Sequence, residues 1–367
     1  MEKGFLVLEN GAKAKSGPNA ESEMICYQGI WRGGKPRAGE VVFNTSHSGY
    51  EEIATDPSYY SQIMVMTAPM QGNYGVERAA WESSRMWIEG FVSLEIQNSK
   101  RDSAWNDQLI ASGIPVLTDL DTRQIVMHLR SNGTPWGALV PAPSAEEARA
   151  MAKVLITEKK KNDVDWVYSV TRRDVEIRKG QKQNGPRVAI IDYGVKENTL
   201  RELQAGTSEV AIFPSRTPEK IIRDWNPSGL MLSNGPGNPT DVKEAVETVR
   251  ALLGYKPMFG ICMGTQIMAL ALGGKTYKLP FGHRGGNHPV KDHLLNEIYV
   301  TSQNHGYCVD AASLPTSTRV THENLNDGTV EGLECASKKC FSVQYHPESH
   351  PGPHDARKLF DFFLNGI

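Results

Sequence analysis

The sequence predicts an α/β fold, with a mostly parallel sheet in the second half of the chain and a smaller, strand-rich α+β domain before it. In the second half, short apolar runs at 188–192, 210–213, 230–232 and 258–261 alternate with helical or loop segments. That alternation is typical of a parallel sheet covered by helices. Directly after the fourth run, a cysteine stands between two glycines, which predicts a sharp turn from strand to helix.

We place the first domain at residues 1–155, a connecting segment at 156–186 and the second domain at 187–367. The basic run at 158–163 is interpreted as solvated surface, because most charge runs are. In the first domain, strands are predicted at 39–43, 62–67 and 87–95, and a helix at 145–155 closes it. In the second domain, helices are predicted at 242–253 and at 356–364.

Charge and composition exclude several classes of partner. The net charge of -2 and the pI near 6.6 give no electrostatic case for nucleic acid or an anionic membrane. No apolar run has transmembrane length, and the start meets Glu9 too early for a signal peptide. Five scattered cysteines suit a reducing compartment, and we interpret Cys335 and Cys340 as strand positions. We therefore predict a cytoplasmic protein with no nucleic-acid or membrane partner.

Cys262 stands between Gly260 and Gly264, where an apolar run meets a predicted helix. Small neighbours permit the strained turn of a nucleophile elbow, which lifts the side chain clear of the sheet. The helix after the turn points its positive end at the sulfur, which stabilises a thiolate. The same pattern also fits a buried cysteine at a tight strand-to-helix corner, so the elbow alone leaves both interpretations open.

A second motif, His346-Pro347-Glu348, follows a strand-like run more than eighty residues later. Pro347 keeps His346 extended, and side chains two residues apart in an extended chain lie on one face. Glu348 can therefore hold one imidazole nitrogen while the other faces a nucleophile. Alone, the motif fits a loop turn, but with Cys262 it completes a Cys/His/Glu set.

A third block runs from 229 to 239, where a strand leads into a loop rich in glycine and proline before a predicted helix. Backbone N–H groups of such a loop can bind an oxyanion. Gly235, Gly237 and Cys262 all follow strand ends, which is where sites form in sheets of this kind.

Two runs resemble nucleotide-binding motifs but lack a required residue. At 269–276, Ala269 stands where a P-loop needs glycine, and the run ends a predicted helix, so we interpret Gly273 as a helix stop. After Gly237, Thr240 replaces the third glycine of a dinucleotide fingerprint, and no acidic residue ends the next strand. We predict no nucleotide cofactor in this chain.

Histidines spaced by four, at His346, His350 and His354, would suit zinc on a helix, but the prolines between them exclude that helix. We therefore predict no metal site. Three further histidines are interpreted as structural or substrate-loop residues rather than ligands: His283, His288 and His293.

The three blocks, in this order, resemble the class I (triad) glutamine amidotransferase domain, over residues 187–367. The remaining motifs are similar to the carbamoyl-phosphate synthetase small-subunit family, which makes the resemblance essentially full length. These motifs lie at 39–46, 49–52, 55–59, 72–75, 121–123 and 281–289.

The resemblance implies hydrolysis of the side-chain amide of L-glutamine through a gamma-glutamyl thioester. Cys262 is then the nucleophile, His346 the acid and base, and Glu348 the group that orients His346. The oxyanion would lie against backbone N–H groups near Gly235 and Met263. Residue by residue, the resemblance places the glutamine contacts on Ser46, Gly235, Gly237, Met263, Gln266, Asn304, Gly306 and Tyr307.

Two of these assignments carry structural expectations. Ser46 belongs to the first domain, which implies a site between the domains. The last three contacts lie in the run 302–307, which we predict to be a polar break after a strand at 298–301. The chain departs from the family pattern at Thr265, at Tyr307 and at 47–48, and none of these changes removes a triad member. Those at Thr265 and Tyr307 are expected to affect glutamine packing, and the one at 47–48 bears on the assignment of Ser46.

The resemblance also implies a partner, because hydrolysing glutamine needs no ATP. A large synthetase subunit would bind ATP and its metal ion and make carbamoyl phosphate from bicarbonate and the ammonia, for arginine and pyrimidine biosynthesis. We expect a heterodimer at least, with higher oligomers left open.

Two alternatives remain: a catalytically silent regulatory partner of the synthetase, and a stand-alone gamma-glutamyl cysteine hydrolase. The intact triad of Cys262, His346 and Glu348 argues against the first alternative. The motifs of the first domain argue against the second, because a free-standing hydrolase has no need of them.

Overall fold

Two large β-sheets organise the chain, one in each of the units into which its contacts divide it, Met1–Val164 and Asp165–Ile367. The computed structural model describes residues 2–9, 24–97 and 105–367. Within those residues, no helix is both long enough and apolar enough to cross a bilayer. The α/β class predicted from the sequence is confirmed.

In the first unit, seven of the described strands close into a barrel in the order β1, β2, β8, β6, β4, β3, β9. The strands are β1 (Lys3–Leu8), β2 (Ile25–Gly33), β3 (Arg37–Asn44), β4 (Gln62–Met66), β5 (Met70–Gln71), β6 (Gly90–Val92), β7 (Glu95–Ile96), β8 (Val116–Thr118) and β9 (Trp136–Pro141). The helices are α1 (Tyr50–Thr55), α2 (Trp105–Ala111), α3 (Thr122–Asn132) and α4 (Ala145–Asn162).

Two elements of this unit differ in length from the sequence prediction. The strand predicted at 87–95 is only three residues long, because β6 pairs with β4 through Gly90, Phe91 and Val92 alone. The helix predicted at 145–155 continues to Asn162. Its basic last turn suits the negative end of a helix, and Lys159 there forms an ion pair of 2.6 Å with Glu89.

The second unit carries ten strands in the order β10, β12, β11, β13, β14, β19, β18, β17, β15, β16. They are β10 (Glu176–Lys179), β11 (Arg187–Asp192), β12 (Glu209–Pro214), β13 (Gly229–Leu232), β14 (Met258–Ile261), β15 (Lys275–Asp292), β16 (Glu297–Asp310), β17 (Arg319–Asn324), β18 (Val330–Cys335) and β19 (Cys340–Val343). The helices are α5 (Trp166–Val170), α6 (Glu197–Gly206), α7 (Glu219–Asp224), α8 (Lys243–Leu252), α9 (Met263–Leu272) and α10 (Lys358–Asn365).

This sheet is mixed, with a parallel centre and antiparallel ends. Strands β12, β11, β13, β14 and β19 pair in parallel, whereas β10 at one end and β18, β17, β15 and β16 at the other pair antiparallel. The four apolar runs of the sequence form four of the parallel strands. Because parallel strands end at the same edge, the loops after β11, β13, β14 and β19 meet there.

Both faces of the parallel strands are buried, which explains their continuous apolar runs. Ala189 and Ile191 of β11 pack with α8 and α9, whereas Val188 and Ile190 pack with α6 and α10. The alternation follows from the period of two along a strand. The helices predicted at 242–253 and 356–364 are therefore present, on opposite faces.

One local prediction was wrong. The run 302–307, expected to be a polar break, continues β16, where Gln303, Asn304 and His305 pair with β15. Its polar side chains suggested a loop, but these three residues are buried. The side chains of Gln303 and His305 bond within β16, and the Asn304 carbonyl accepts from Cys262. Cys335 and Cys340 face each other across β18 and β19 as free thiols.

Candidate active site

Cys262 occupies the turn between β14 and α9 with φ 53° and ψ -105°. A non-glycine residue in such a conformation stores about 1–3 kcal/mol of strain, which its surroundings must hold. Here Val343 at the end of β19 accepts a hydrogen bond from the Cys262 N–H at 2.9 Å, and Ser233 after β13 accepts one from the Gly264 N–H at 3.0 Å. The turn is thus fixed by both neighbouring strands.

Gly264 is required by the close approach of α9 to β13. A Cβ atom built on Gly264 would lie 2.3 Å from the carbonyl oxygen of Leu232. The first turn of α9 therefore begins directly behind Cys262, which is itself the N-cap residue of the helix and only 1% exposed. The predicted elbow is present in the structure.

His346 reaches the same edge of the sheet because β19 lies next to β14 in parallel register, with Val343 beside Ile261. The N–H of His346 donates to the carbonyl of Ser302 at 2.9 Å. Its Nδ1 lies 2.7 Å from Oε1 of Glu348, and its Nε2 has no hydrogen-bond partner. The free nitrogen is the one that a triad needs toward its nucleophile.

The charges of these side chains depend on one another. Burial alone raises the pKa of Glu348, but Lys196 and His346 outweigh burial and lower that pKa to about 2. Burial alone lowers the pKa of His346, but Glu348 and the nearby Cys262 raise it to about 10. At neutral pH, Glu348 is therefore a carboxylate and His346 an imidazolium.

Lys196 is a site residue that the sequence analysis missed. Its ammonium lies 3.2 Å from Oε1 of Glu348 and also donates to the carbonyl of Ser349. Nearby, Asn198 donates from Nδ2 to the carbonyl of Glu348 at 2.5 Å. Lys196 follows β11, so a search of the residues after each predicted parallel strand would have included it.

Gly235, Gly237 and Met263 lie at the same edge of the sheet. Gly235 passes so close to Tyr193 that a Cβ atom would lie 2.2 Å from its carbonyl oxygen. Gly237 has a φ of +89°, a left-handed conformation that favours glycine. Met263 is the first residue of α9, so its N–H has no partner within the helix. These groups fit an oxyanion site beside Cys262.

The β16 run meets the elbow from the other side. The Cys262 thiol donates to the carbonyl of Asn304 at 3.6 Å. Gln266, in the first turn of α9, donates from Nε2 to the carbonyl of Tyr307 at 2.9 Å. The Asn304 carbonyl thereby contacts Cys262, and the Tyr307 carbonyl contacts α9. A role for these two residues and Gly306 in binding glutamine stays a prediction.

Ser46 lies in the first unit, in the loop between β3 and α1, where its N–H donates to Oδ1 of Asn44 at 2.7 Å. The residue is buried. A role for Ser46 in binding glutamine stays a prediction.

One group of side chains has the composition of a metal site. Ligand atoms of His283, His305 and Glu331 lie within 4.8 Å of one another in the described part of the chain. Both ring nitrogens of His305 already lie within 3 Å of other partners, on Tyr307 and Gln303.

Comparison with known proteins decides the family. Residues 189–365 match the profile of the family described as glutamine amidotransferase class-I, and residues 21–139 match that of carbamoyl-phosphate synthase small chain, CPSase domain. The carbamoyl phosphate synthase small chain of Symbiobacterium thermophilum is 48% identical over 337 residues, covering 89% of this chain and 92% of that protein. The chain belongs to the carbamoyl phosphate synthase small chain family.

Other members of this small-chain family match over similar lengths. The small chain of Thermus thermophilus is 40% identical, covering 100% of this chain and 93% of that protein. A protein of Halalkalibacterium halodurans named as a pyrimidine-specific small chain is 44% identical, covering 89% and 90%. A solved glutamine amidotransferase of Thermotoga maritima gives a TM-score of 0.36 at 20% identity, covering 45% of this chain and 77% of that one, which is too weak a likeness to carry an argument.

Membership of the small-chain family confirms the resemblance of both halves of the sequence. The second half, which carries Cys262 and His346, matches the glutamine amidotransferase profile. The first half, which carries the motifs at 39–46 and 121–123, matches the small-chain profile.

Proposed function

We propose that this chain hydrolyses L-glutamine and supplies the ammonia to a large synthetase subunit. The observation that carries the proposal is the meeting of Cys262, His346 and Glu348 at one edge of the sheet. A buried thiol faces an imidazole whose other nitrogen is held by a carboxylate at 2.7 Å. This is the arrangement of a thiol nucleophile with its acid–base partner and an orienting group.

The proposed reaction begins with Cys262 as a thiolate beside the His346 imidazolium, and its sulfur attacks the side-chain amide carbon of glutamine. The carbonyl oxygen becomes an oxyanion, which the N–H groups near Gly235 and Met263 stabilise. His346 transfers a proton to the leaving nitrogen, the C–N bond breaks, and ammonia leaves a gamma-glutamyl thioester. His346 then accepts a proton from water, the water oxygen attacks the thioester, and glutamate and the thiolate are released.

Glutamine binding is assigned to residues around this nucleophile. Asn304, Gly306 and Tyr307 would contact the substrate from β16 and Gln266 from α9, with Gly235, Gly237 and Met263 on the oxyanion side. Ser46 would reach the substrate from the first unit.

The remaining chemistry is assigned to the partner. The relatives are named as small chains, which implies a large one. We propose that the large subunit holds ATP and its metal ion, and that this chain needs no cofactor. The complex, a heterodimer or an oligomer of heterodimers in the cytoplasm, would form carbamoyl phosphate from bicarbonate for arginine and pyrimidine biosynthesis.

Labelling with a diazo-ketone analogue of glutamine tests the nucleophile and the substrate together. We expect one adduct per chain, located at Cys262 by peptide mass spectrometry and prevented by excess glutamine. The Cys262→Ser variant should take up no label, whereas Cys26→Ser, at a half-buried cysteine of the first unit, should be labelled like the parent. If the chain stays unlabelled with and without the large subunit, it is a silent regulatory partner.

Release of glutamate with and without the large subunit tests the partner. Ammonia set free in water would be protonated and lost, so we expect the isolated chain to be a poor glutaminase that its partner activates. Full glutaminase activity of the isolated chain would favour a stand-alone gamma-glutamyl hydrolase instead.

A further inference from the structure

The β16 run that carries Asn304, Gly306 and Tyr307 is poorly fixed by its own strand pairing. Its register with β15 shifts here: Lys278 pairs with Tyr307, whereas His283 pairs with His305. The intervening residues of β15 bulge away, so the backbone ladder does not fix the position of Gly306. Side chains must therefore hold this run in place.

His305 is the side chain that does so from within the run. Its ring is buried, and its Nδ1 donates to the carbonyl of Tyr307 at 2.8 Å, the same carbonyl that accepts from Gln266. Its Nε2 lies 2.9 Å from Oε1 of Gln303, which can also only accept. The position of Tyr307 thus depends on one ring orientation of His305.

His283 packs against this ring from β15. The two imidazoles meet edge to face, with centroids 4.9 Å apart and planes at 84°. His283 is 6% exposed, so both of its ring nitrogens need partners within the protein.

Two carboxylates supply those partners. Nε2 of His283 lies 2.8 Å from Oδ2 of Asp327, and its Nδ1 lies 3.6 Å from Oε1 of Glu331. Glu331 is fully buried, accepts from Nδ2 of Asn324 at 2.8 Å, and has no hydrogen-bond partner at its other oxygen. Burial lowers the pKa of His283, but Glu331 and Asp327 outweigh burial and raise it. A protonated His283 therefore places a positive charge beside two carboxyl groups, which hold its ring in place.

The charge on His283 also acts on its neighbour. The pKa of His305 is lowered well below its ordinary value, first by burial and then by the positive charge of His283. The Tyr307 carbonyl can only accept, so Nδ1 of His305 carries a proton in this arrangement. The edge-to-face packing of His283 holds the ring in the orientation that makes this hydrogen bond.

We propose that His283, held by Glu331 and Asp327, is a positioning residue for glutamine binding, which fixes His305 and through it the Tyr307 carbonyl. The inference rests on the proposed function, because it assigns glutamine contact to the β16 run. His283 does not touch the reacting atoms, so its loss should weaken glutamine binding rather than slow the chemistry.

The test is a double-variant cycle on glutamate release by the complex with the large subunit. We expect His283→Gln to raise KM for glutamine about tenfold or more while kcat stays within about threefold. In a His305→Gln background, His283→Gln should change KM little further, because His283 acts on Tyr307 only through His305. An unchanged KM for His283→Gln, or additive effects of the two changes, would overturn the proposal.

His293→Asn is the matched control. His293 also faces a carboxylate, Glu323 at 3.3 Å, and lies in the hairpin between β15 and β16, but its side chain is 46% exposed. Its replacement should leave KM for glutamine unchanged. Urea unfolding of His283→Gln reports whether the variant is folded. A variant that merely fails to fold loses active enzyme and therefore kcat, whereas lost positioning raises KM.

A second readout needs no glutamine. In the chain labelled with ¹⁵N-histidine, the His305 signals should show a protonated, hydrogen-bonded Nδ1 and lose that bond in His283→Gln. If the parent releases no glutamate while this change is seen, the proposed function and the role in glutamine binding both fail, and only the positioning of His305 stands. If the parent is active and the Nδ1 signal of His305 is unchanged in the variant, the positioning role fails alone.

Discussion

The ammonium of Lys196 lies 3.2 Å from Oε1 of Glu348, and 3% or less of either side chain is exposed. The same carboxylate oxygen lies 2.7 Å from Nδ1 of His346. A cation, a carboxylate and an imidazole thus stand in a row that ends at Cys262. Because solvent is excluded, the charge of each member depends on its neighbours.

Replacing Lys196 with methionine should destabilise the chain, because Glu348 then keeps a buried charge without its cation. We expect the free energy of unfolding to fall by about 3–5 kcal/mol, the usual cost of breaking a buried pair. Urea unfolding measures it. Lys220→Met removes an exposed ion pair and should change nothing measurable. A Lys196→Met variant as stable as the parent would contradict the pairing, and adding Glu348→Gln should recover part of the loss.

Stability should fall at both ends of the pH range. The pKa of Glu348 drops from 4.5 to about 2 on folding, so its contribution is full above pH 4.5 and is lost as pH falls through about 2. The pKa of His346 rises from 6.5 to about 10, so its contribution is full below pH 6.5 and is lost as pH rises toward 10. Urea midpoints against pH measure both limbs.

Variants show which group causes the loss of stability at low pH, the acid limb, and at high pH, the alkaline limb. Glu348→Gln should flatten the acid limb and, because it removes the charge that raises the pKa of His346, weaken the alkaline limb as well. His293→Asn serves as the control. Parallel curves for the parent and Glu348→Gln would show that other groups control the pH dependence.

Gly264→Ala should damage the elbow, because the new methyl group would lie 2.3 Å from the Leu232 carbonyl. We expect a loss of about 1–3 kcal/mol, as for other overpacked sites, and slower labelling of Cys262. Gly366→Ala meets nothing closer than 3.4 Å and is the control. Labelling of Gly264→Ala at the parental rate would mean that α9 can shift without disturbing Cys262.

Thr265 ties the first turn of α9 to β19, since its hydroxyl donates to the Val343 carbonyl at 2.6 Å. Thr265→Val removes that hydrogen bond and should cost about 0.5–1.5 kcal/mol. Thr265→Ser keeps the hydroxyl and should stay closer to the parent. Thermal unfolding of the two variants provides the comparison, and a valine variant more stable than the serine variant would refute the role of the bond.

The parts of the fold and site that the sequence predicts are those set by local pattern. Fully buried parallel strands leave apolar runs, and a strained turn before a helix needs the small residues around Cys262. Lys196 could not be assigned in this way. It has no motif of its own, and its contact with Glu348 depends on β11 and β19 ending at one edge of the sheet.

The run 302–307 has a local pattern, but that pattern led to a wrong prediction. Polar residues in a row are typical of loops, yet Gln303, Asn304 and His305 are buried within β16. Their partners are Cys262 before α9, the paired residues of β15, Thr301, and other members of the run itself. The local sequence pattern shows which side chains are polar. Whether a polar side chain is buried depends on hydrogen-bond partners that are distant in the sequence.

The position of β19 also bears on how the protein matures. This strand lies between β14 and β18, yet it is the last strand of the chain to be synthesised. Until it inserts, β14 has an open edge and Cys262 lacks both the Val343 carbonyl and His346. On the proposed function, we therefore expect a nascent chain to be inert toward glutamine until residue 348 has been synthesised and β19 has paired, and the slow pairing of distant strands should delay activity further.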